Sequence, residues 1–521
     1  MNNINWLEIS YLVFYFFILF VLSMYGAHRY YLTYLYFRYR HHRPAVKTLT
    51  LTAAQPPLPV VTIQLPIYNE KYVVARLIDA VCQIEYPREK LQIQVLDDST
   101  DETQSLAQTY VKECQSQGFD ISYIHRVNRQ GFKAGALANG LTQARGEYVT
   151  IFDADFIPNS DFLVKTLPHF ESKEIAMIQV RWGHINRDYS ALTQAQSILL
   201  DGHFIMEHSA RNRSGCFFNF NGTAGIWRKQ AIFDAGGWSH DTLTEDLDLS
   251  YRAQLKGWKF LFLQEVISPG ELPVDMNAFK NQQHRWAKGS IQTALKLLPQ
   301  VLRSSYPWRV KIEAFFHLTA NFAYPLLVLL SLLMPLSIFI RYQHGWRQVL
   351  LLDLPSFFAA TFSIAAFYSM TQRELGEATW QRLKFIPFVM SLGIGLSVSN
   401  AKAVIEALMG RESPFTRTPK HGVSKKGDKQ WIIASYRGGK GALLPWLEIA
   451  MAAYYAVTIY VAVLTKHYLS IPFLFIFQIG FLYVGALSLF QGQQLRALFV
   501  STKDPVETVP SKEIAASSHS S

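Results

Sequence analysis

Cysteine is scarce. The three in 521 residues, Cys82, Cys114 and Cys216, have no metal-ligand spacing, so neither a disulfide scaffold nor a zinc framework organises the chain, and a reducing compartment fits. No internal repeat is visible, and the inverted hydropathy symmetry of many transporters is missing. The first apolar run has no positive charge before it and no small-residue cleavage site after it, which argues for an anchor over a cleaved leader. No basic helix accompanies the net charge of +11, so nucleic acid is not an expected partner.

What is present is apolar sequence, half of all residues, gathered into blocks. Residues 9–25 form the first block, followed by Arg29, Arg38, Arg40, Arg43 and Lys47, which puts its C-terminal end in the cytoplasm. Residues 314–340 and 349–370 are each long enough to cross a membrane, as are 445–464 and 470–490. Residues 385–399 are short for a span and are followed by Asn400, Lys402 and Glu406. The basic loop 411–440 is expected inside, which holds only if the short stretch is interfacial or re-entrant. Five spans result. The basic clusters beside them suit anionic membrane lipids.

The expected organisation is an anchor (1–48), a soluble domain (60–299), and an interfacial helix, transmembrane pair and second interfacial or re-entrant helix (300–410). A cytoplasmic basic loop (411–443), a second transmembrane pair (444–492) and a disordered cytoplasmic tail (493–521) complete it. Gln55-Pro56-Pro57-Leu58-Pro59 reads as a stiff linker. The protein is expected to sit in an inner or plasma membrane with its soluble domain cytoplasmic.

Within the soluble domain, short apolar strands alternate with amphipathic helices, the pattern of an α/β sheet covered on both faces. Strands are expected at 60–65, 91–96 and 148–152, and Ser99 with Glu102 reads as a capping box for the helix after the second. Open α/β sheets bind ligands at the carboxyl ends of their strands. Asp97-Asp98 and Asp153-Ala154-Asp155 both stand there.

Moving a sugar from a nucleotide diphosphate needs a cation for the departing diphosphate, a base for the acceptor hydroxyl and surfaces for both sugars. Asp153 and Asp155 lie on one side of an extended segment, and their hard oxygens suit Mg²⁺ or Mn²⁺; a turn or helix cap is the plainer reading. Asp97 and Asp98 could accept from base or ribose, or form an Asx turn, or both. Lys133, in Gly131-Phe132-Lys133-Ala134-Gly135, puts a cation on a flexible loop where a diphosphate could lie; the alternative is a solvated lysine. Thr244-Glu245-Asp246 opens a helix, where acids serve as dipole partners. Asp246 is the candidate general base, and Asp248 reads as helix surface.

Residues 281–290, Asn-Gln-Gln-His-Arg-Trp-Ala-Lys-Gly-Ser, join the soluble and membrane parts. On a helix Gln282, Arg285 and Trp286 share a face, presenting an amide, a fixed cation and a flat ring that could hold a sugar and a leaving phosphate. A tryptophan anchored at the lipid interface is the competing reading. The stripe Ile291, Ala294, Leu295, Leu298, Val301 and Leu302 suggests that the helix continues along the membrane surface.

Together these stretches resemble the processive family 2 glycosyltransferases of the cellulose synthase superfamily, closest to the cellulose synthase-like mannan and glucan synthases of the A and C groups. The resemblance is carried by Gln94-Val95-Leu96-Asp97-Asp98-Ser99-Thr100-Asp101, Lys133-Ala134-Gly135-Ala136-Leu137, Phe152-Asp153-Ala154-Asp155-Phe156, Phe220-Asn221-Gly222-Thr223-Ala224-Gly225, Thr244-Glu245-Asp246 and Gln282-Gln283-His284-Arg285-Trp286. It implies a GT-A fold with a Rossmann-like mixed sheet, a nucleotide-sugar donor, a divalent metal and inversion at the anomeric carbon. By position, Asp98 would bind nucleotide, Asp153 and Asp155 the metal and diphosphate, Asp246 would be the base, and Gln282, Arg285 and Trp286 would hold diphosphate and acceptor. Phe220, Asn221, Gly222 and Thr223 would line the acceptor site. Phe415-Thr416-Arg417-Thr418-Pro419-Lys420 resembles the family's gating loop, with Phe415, Thr418 and Lys420 matching and Arg417 standing where a small apolar residue is usual.

The expected function is an inverting β-glycosyltransferase that uses UDP-glucose or GDP-mannose to extend a β-glucan or mannan and passes the chain through its own helices. A non-processive enzyme that glycosylates a membrane lipid shares the same acids. A transporter or scaffold with an inactive nucleotide-fold domain is the alternative of another class.

Overall fold

The computed structural model describes residues 5–49, 58–345, 355–356, 358–376, 380–412, 418–423 and 443–501. Residues 55–57 of the linker, 349–354 of the third expected span, Phe415 and Arg417 of the gating-like loop, most of the basic loop and the tail from Thr502 lie outside them.

Among the described residues, seven strands form one mixed sheet: β1 (Val61–Ile67), β2 (Leu91–Asp97), β3 (Ile121–His125), β4 (Tyr148–Ile151), β5 (Ile175–His184), β6 (Gly225–Arg228) and β7 (Lys259–Gly270), in the order β3-β2-β1-β4-β6-β5-β7. The first four pair in parallel. Strand β6 enters antiparallel between β4 and β5, and β7 returns parallel to β5. Every residue of β1 and β2 is buried, as expected for central strands covered on both faces. Val61, Ile63 and Leu65 pack with Leu77, Ile78 and Val111 on one face. Leu137, Trp227 and Leu249 belong to the core on the other. The polar alternates of β1 pair across the ladder: Thr62 Oγ1 donates to Gln92 Oε1 at 2.8 Å, and Gln64 Nε2 to Gln94 Oε1 at 3.0 Å.

The helix after β2 starts at Thr103, where Asp101 Oδ1 accepts its N–H at 2.9 Å. The Ser99–Glu102 capping box does not form. Ser99 Oγ is instead turned to Asn69 N at 2.8 Å, tying the ends of β1 and β2 together.

Among the described residues, four helices are long and apolar enough to cross a membrane: Trp6–Arg38, Trp308–Gln343, Leu444–Leu464 and Ile471–Gln491. Their outward faces carry exposed apolar side chains, such as Val13 (64%), Phe20 (61%) and Val457 (62%), more than a water-facing surface tolerates. Of the third expected span, the chain from Phe358 to Glu374 is helical. The short apolar stretch is broken, with Trp380–Gly395 and Ser397–Leu408 meeting at 43°. Such a bent pair is either a broken span or a re-entrant loop.

The helix Met276–Arg303 carries the motif stretch from the sheet to the membrane helices. The stripe expected to face the membrane is mainly internal. Ala294 and Val301 pack with Leu247 and Tyr251 of the helix Glu245–Leu255 and with Val310 and Leu318, while Leu295 and Leu302 stay exposed at 54% and 42%.

Candidate active site

Because β1, β2 and β4 run parallel, their carboxyl ends reach one edge of the sheet, and the segments after them open into a cleft of about 1250 Å³, its open mouth included. Asp98, Asp153 and Asp155 line it, with Lys133, Asp246, Gln282, Arg285 and Trp286. The residues come from stretches far apart in the sequence. The fold gathers them.

Asp98 is held by Arg126, whose Nε and Nη2 donate to Oδ1 at 2.8 Å and Oδ2 at 2.5 Å. Nearby, the Arg129 guanidinium stacks 3.4 Å from the Tyr68 ring centroid, and both residues line the cleft. Asp153 donates its N–H to Thr223 Oγ1 at 2.9 Å, and its Oδ1 accepts from Lys133 Nζ at 2.5 Å. Burial pushes the Asp153 carboxyl up and Asp155 adds to this, while Lys133 pulls it down. Asp155 Oδ2 accepts from Lys420 Nζ at 2.5 Å, and Lys420 also donates to Glu271 O at 3.1 Å.

Lys133 bridges the acids. Besides Asp153, its ammonium donates to Gly222 O at 2.9 Å and lies 4.0 Å from Glu245. Burial works against its charge, but Asp153 and Glu245 outweigh burial and hold its pKa above the usual lysine range. Gly222 has φ +80°, and a Cβ there would stand 3.0 Å from Asp246 Oδ2 and 3.3 Å from Lys133 Nζ. Glycine is thus required both by the left-handed backbone and by the crowding of acid and base.

Asp246 sits in the first turn of the helix Glu245–Leu255, its Oδ1 accepting from Leu247 N at 2.8 Å. Burial, then the neighbouring Glu245 charge, push its carboxyl up to about 7, against the pull of Lys133, the Leu247 N–H and Arg285. A carboxyl poised near neutrality suits a general base. This helix meets the motif helix at Gly289, where a Cβ would lie 2.6 Å from Thr244 Cγ2 and 2.9 Å from Thr244 N. The missing side chain lets Asp246 approach Arg285 and Trp286.

The motif helix is held from behind. Lys280 Nζ bonds Glu448 Oε1 and Oε2 at 2.6 and 2.9 Å, both residues buried. Glu406 takes His284 at 3.1 Å and Lys288 at 3.3 Å. One side of the helix faces the cleft, and another is clamped to the membrane helices.

Residues 56–289 match the model of the glycosyltransferase like family 2. That region of the chain is similar to family 2 glycosyltransferases. Over 269 residues it is 42% identical to glucomannan 4-beta-mannosyltransferase 1 of Oryza sativa subsp. japonica, covering 51% of each chain. Over 253 residues it is 46% identical to glucomannan 4-beta-mannosyltransferase 2 of Arabidopsis thaliana, covering 47% of each. The chain thus spans about half the length of the curated relatives it matches. The solved mannosyltransferase PcManGT of Pyrobaculum calidifontis, in complex with GDP-Man and Mn2+, aligns over 76% of this chain and all of its own at a TM-score of 0.50 and 17% identity. The shared feature is the fold, a GT-A-like mixed sheet.

Asn221, Gly222, Thr418 and Lys420 also line the cleft. Four residues lie elsewhere than expected. Asp97 is fully buried and turned inward: Oδ1 accepts from Ser99 N at 2.8 Å and Oδ2 from Tyr123 Oη at 2.7 Å. It is the Asx turn that leaves Asp98 to the cleft. Phe220 is a core residue, edge-on to Trp227 at 5.8 Å. Thr223 is buried behind Asp153 and acts on the cleft through it. Asp248 is not helix surface but fully buried, paired with Arg252 at 2.6 Å and Lys296 at 2.7 Å. The sequence reading passed over Tyr68, Arg129 and Glu245 as cleft residues.

Two carboxylates lining one cleft suit Mg²⁺ or Mn²⁺, which bind through one or two protein carboxylates together with substrate phosphates and water. The described residues form no group of three or more His, Cys, Asp or Glu placed to hold an ion, so the donor set fits an ion shared with a diphosphate and not a closed protein cage.

Proposed function

We propose that this chain transfers a hexose, foremost mannose from GDP-mannose, to the end of a β-linked mannan or glucomannan at a membrane surface. The two relatives support the choice of mannose. The observation that carries the reading is the meeting of Asp246, its carboxyl near 7, with the Asp153–Asp155 pair and Arg285 in one cleft.

Asp246 takes the proton of an acceptor hydroxyl as its oxygen attacks the anomeric carbon. The new oxygen–carbon bond forms as the bond from that carbon to the diphosphate oxygen breaks, so an α-linked donor gives a β-linked product. Lys133 and Arg285 meet the negative charge that the diphosphate gains, Arg285 with paired N–H donors. Trp286 offers a flat face for an acceptor ring. Asp98 and the stacked Tyr68–Arg129 pair form the nucleoside end. Asp153 and Asp155 would hold Mg²⁺ or Mn²⁺, which would supply further positive charge for the leaving diphosphate. Lys420 belongs to a loop that closes on the loaded donor, giving up Asp155 as it does so. The GT-A domain lies on the cytoplasmic side, and the product leaves between the membrane helices.

The test uses purified protein in lipid vesicles with a panel of nucleotide sugars and Mg²⁺ or Mn²⁺. GDP release from GDP-mannose and a product cut by endo-β-mannanase are expected. A single glycolipid would overturn chain extension, and no nucleoside diphosphate release from any donor would leave the transporter or scaffold reading.

A further inference from the structure

Residues Gly202–His208 form a π-helix within an unbroken helical run from Ala191 to Arg213. Such turns are rare and found mostly at functional sites. The geometric effect here is specific. In a π-turn residues i and i+5 fall on one side, whereas an α-helix would set them ~140° apart. His203 and His208, five apart, stand with ring centroids 4.3 Å from each other. Both reach Asn221: His208 Nε2 lies 2.6 Å from its Oδ1, and His203 Nε2 lies 2.9 Å from its Nδ2.

The chemistry of these groups fixes the protons. A carboxamide oxygen only accepts and its nitrogen only donates, so His208 donates from Nε2 and His203 accepts at Nε2. The Nδ1–H of His203 then donates to Glu207 Oε2 at 3.1 Å. Glu207 is paired with Arg211 at 3.2 Å, and Arg211 with buried Glu313 at 2.9 Å. Burial, with His203 and Arg211 adding to it, keeps His208 well below the usual imidazole range, in the neutral form that this arrangement demands. Turning the amide over would set its oxygen against the unprotonated Nε2 of His203, whose proton is held at Nδ1 by the ionised Glu207 carboxylate. Once both rings are served, Asn221 retains one amide hydrogen and one lone pair. It lines the cleft beside Gly222, which packs against Asp246.

We propose that His203 and His208 are positioning residues that lock the direction of the Asn221 carboxamide, making Asn221 the group that reads a hydroxyl of the acceptor sugar next to the base. This rests on the glycosyl-transfer reading above. A carboxamide free to turn offers either group to any hydroxyl, whereas a locked one discriminates between sugars whose hydroxyls differ only in orientation.

The experiment measures kcat and KM for mannotetraose and cellotetraose as acceptors, and KM for GDP-mannose, on the full chain in lipid nanodiscs. In His203→Leu the acceptor KM is expected to rise about tenfold, the equivalent of one lost hydrogen bond. The preference between the two acceptors narrows, and the donor KM stays within twofold. His203→Gln, whose Oε1 can accept from Asn221 Nδ2, is expected to restore most of the acceptor KM. The proposal is overturned if wild-type transfer is accompanied by an unchanged acceptor KM in His203→Leu, by donor and acceptor KM rising together, or by no rescue in His203→Gln. Wild-type protein that transfers to no acceptor overturns the proposed function itself, and this proposal with it.

Discussion

Replacing Gly289 with alanine strikes the point where the start of the helix Glu245–Leu255 touches the motif helix. The added Cβ would stand 2.6 and 2.7 Å from the Thr244 side chain and 2.9 Å from its backbone nitrogen. Thr244 is buried and its Oγ1 lies 3.3 Å from Thr293 Oγ1, so the side chain has little room to turn. The backbone nitrogen can move only with the helix that Thr244 caps. Restoring ordinary contact requires the two helices to part by about half an ångström, and such overpacking costs about 1–3 kcal/mol. Because a 1 Å misplacement of reacting groups can cost ~100-fold, kcat for nucleoside diphosphate release is expected to fall between roughly threefold and a hundredfold, with the donor KM much less affected. Gly393→Ala serves as control, since a Cβ there meets nothing within 4 Å. A Gly289→Ala enzyme with kcat within twofold of wild type would refute the close-approach argument.

Asp246→Asn is expected to lower kcat by about 10²–10⁴-fold while GDP-mannose still binds, as measured by calorimetry. In the wild type, kcat/KM should rise with pH through about 7, where the Asp246 carboxyl ionises; a flat profile between pH 5 and 8 would count against this assignment. The same raised carboxyl makes stability fall as pH rises from the unfolded value near 4 towards 7, so Asp246→Asn should melt higher than wild type at pH 8 and alike at pH 4. Lys280→Met and Glu448→Gln should each destabilise by about 3–5 kcal/mol, because each leaves a buried charge or acceptor alone. Replacing both should recover much of that in thermal melts in detergent. Lys420→Ala frees Asp155 and should tighten Mn²⁺ binding in the absence of donor, read by electron paramagnetic resonance; weaker binding would show that Lys420 does not compete for that carboxylate.

The sheet and the acidic ends of its strands were legible because periodicity and strand-end position are local properties. The errors arose where adjacent residues face opposite ways. Asp97 and Asp98 look alike in sequence, but the first turns back to cap its own loop and the second opens to the cleft. In the same way, Phe220 goes to the core while Asn221 goes to the cleft. Asp248 looked like an exposed helical acid, yet Arg252, four residues on along its own helix, and Lys296 of the motif helix neutralise it in the interior; helical spacing could offer the first partner but not the second, nor the burial. The π-turn hid His203 and His208, since a five-residue separation reads as no shared face on an ordinary helix. Two signals were available and passed over: Glu448 inside an apolar run, and Lys280, His284 and Lys288 at four-residue spacing on the motif helix. A charge within a span is seldom idle.

The double attachment of the motif helix bears on how this protein can be taken apart. Its trio Gln282, Arg285 and Trp286 lines the cleft, but Met276 and Phe279 are packed with Leu392 and Val484, and Ile291 with Val404. A chain cut at residue 299 would bring those side chains into water and leave Lys280 without its carboxylate. The sheet domain is therefore not a detachable module. A water-soluble version would need this helix resurfaced along one side, at 276, 279, 280, 284, 288 and 291, with 282, 285 and 286 left as they are.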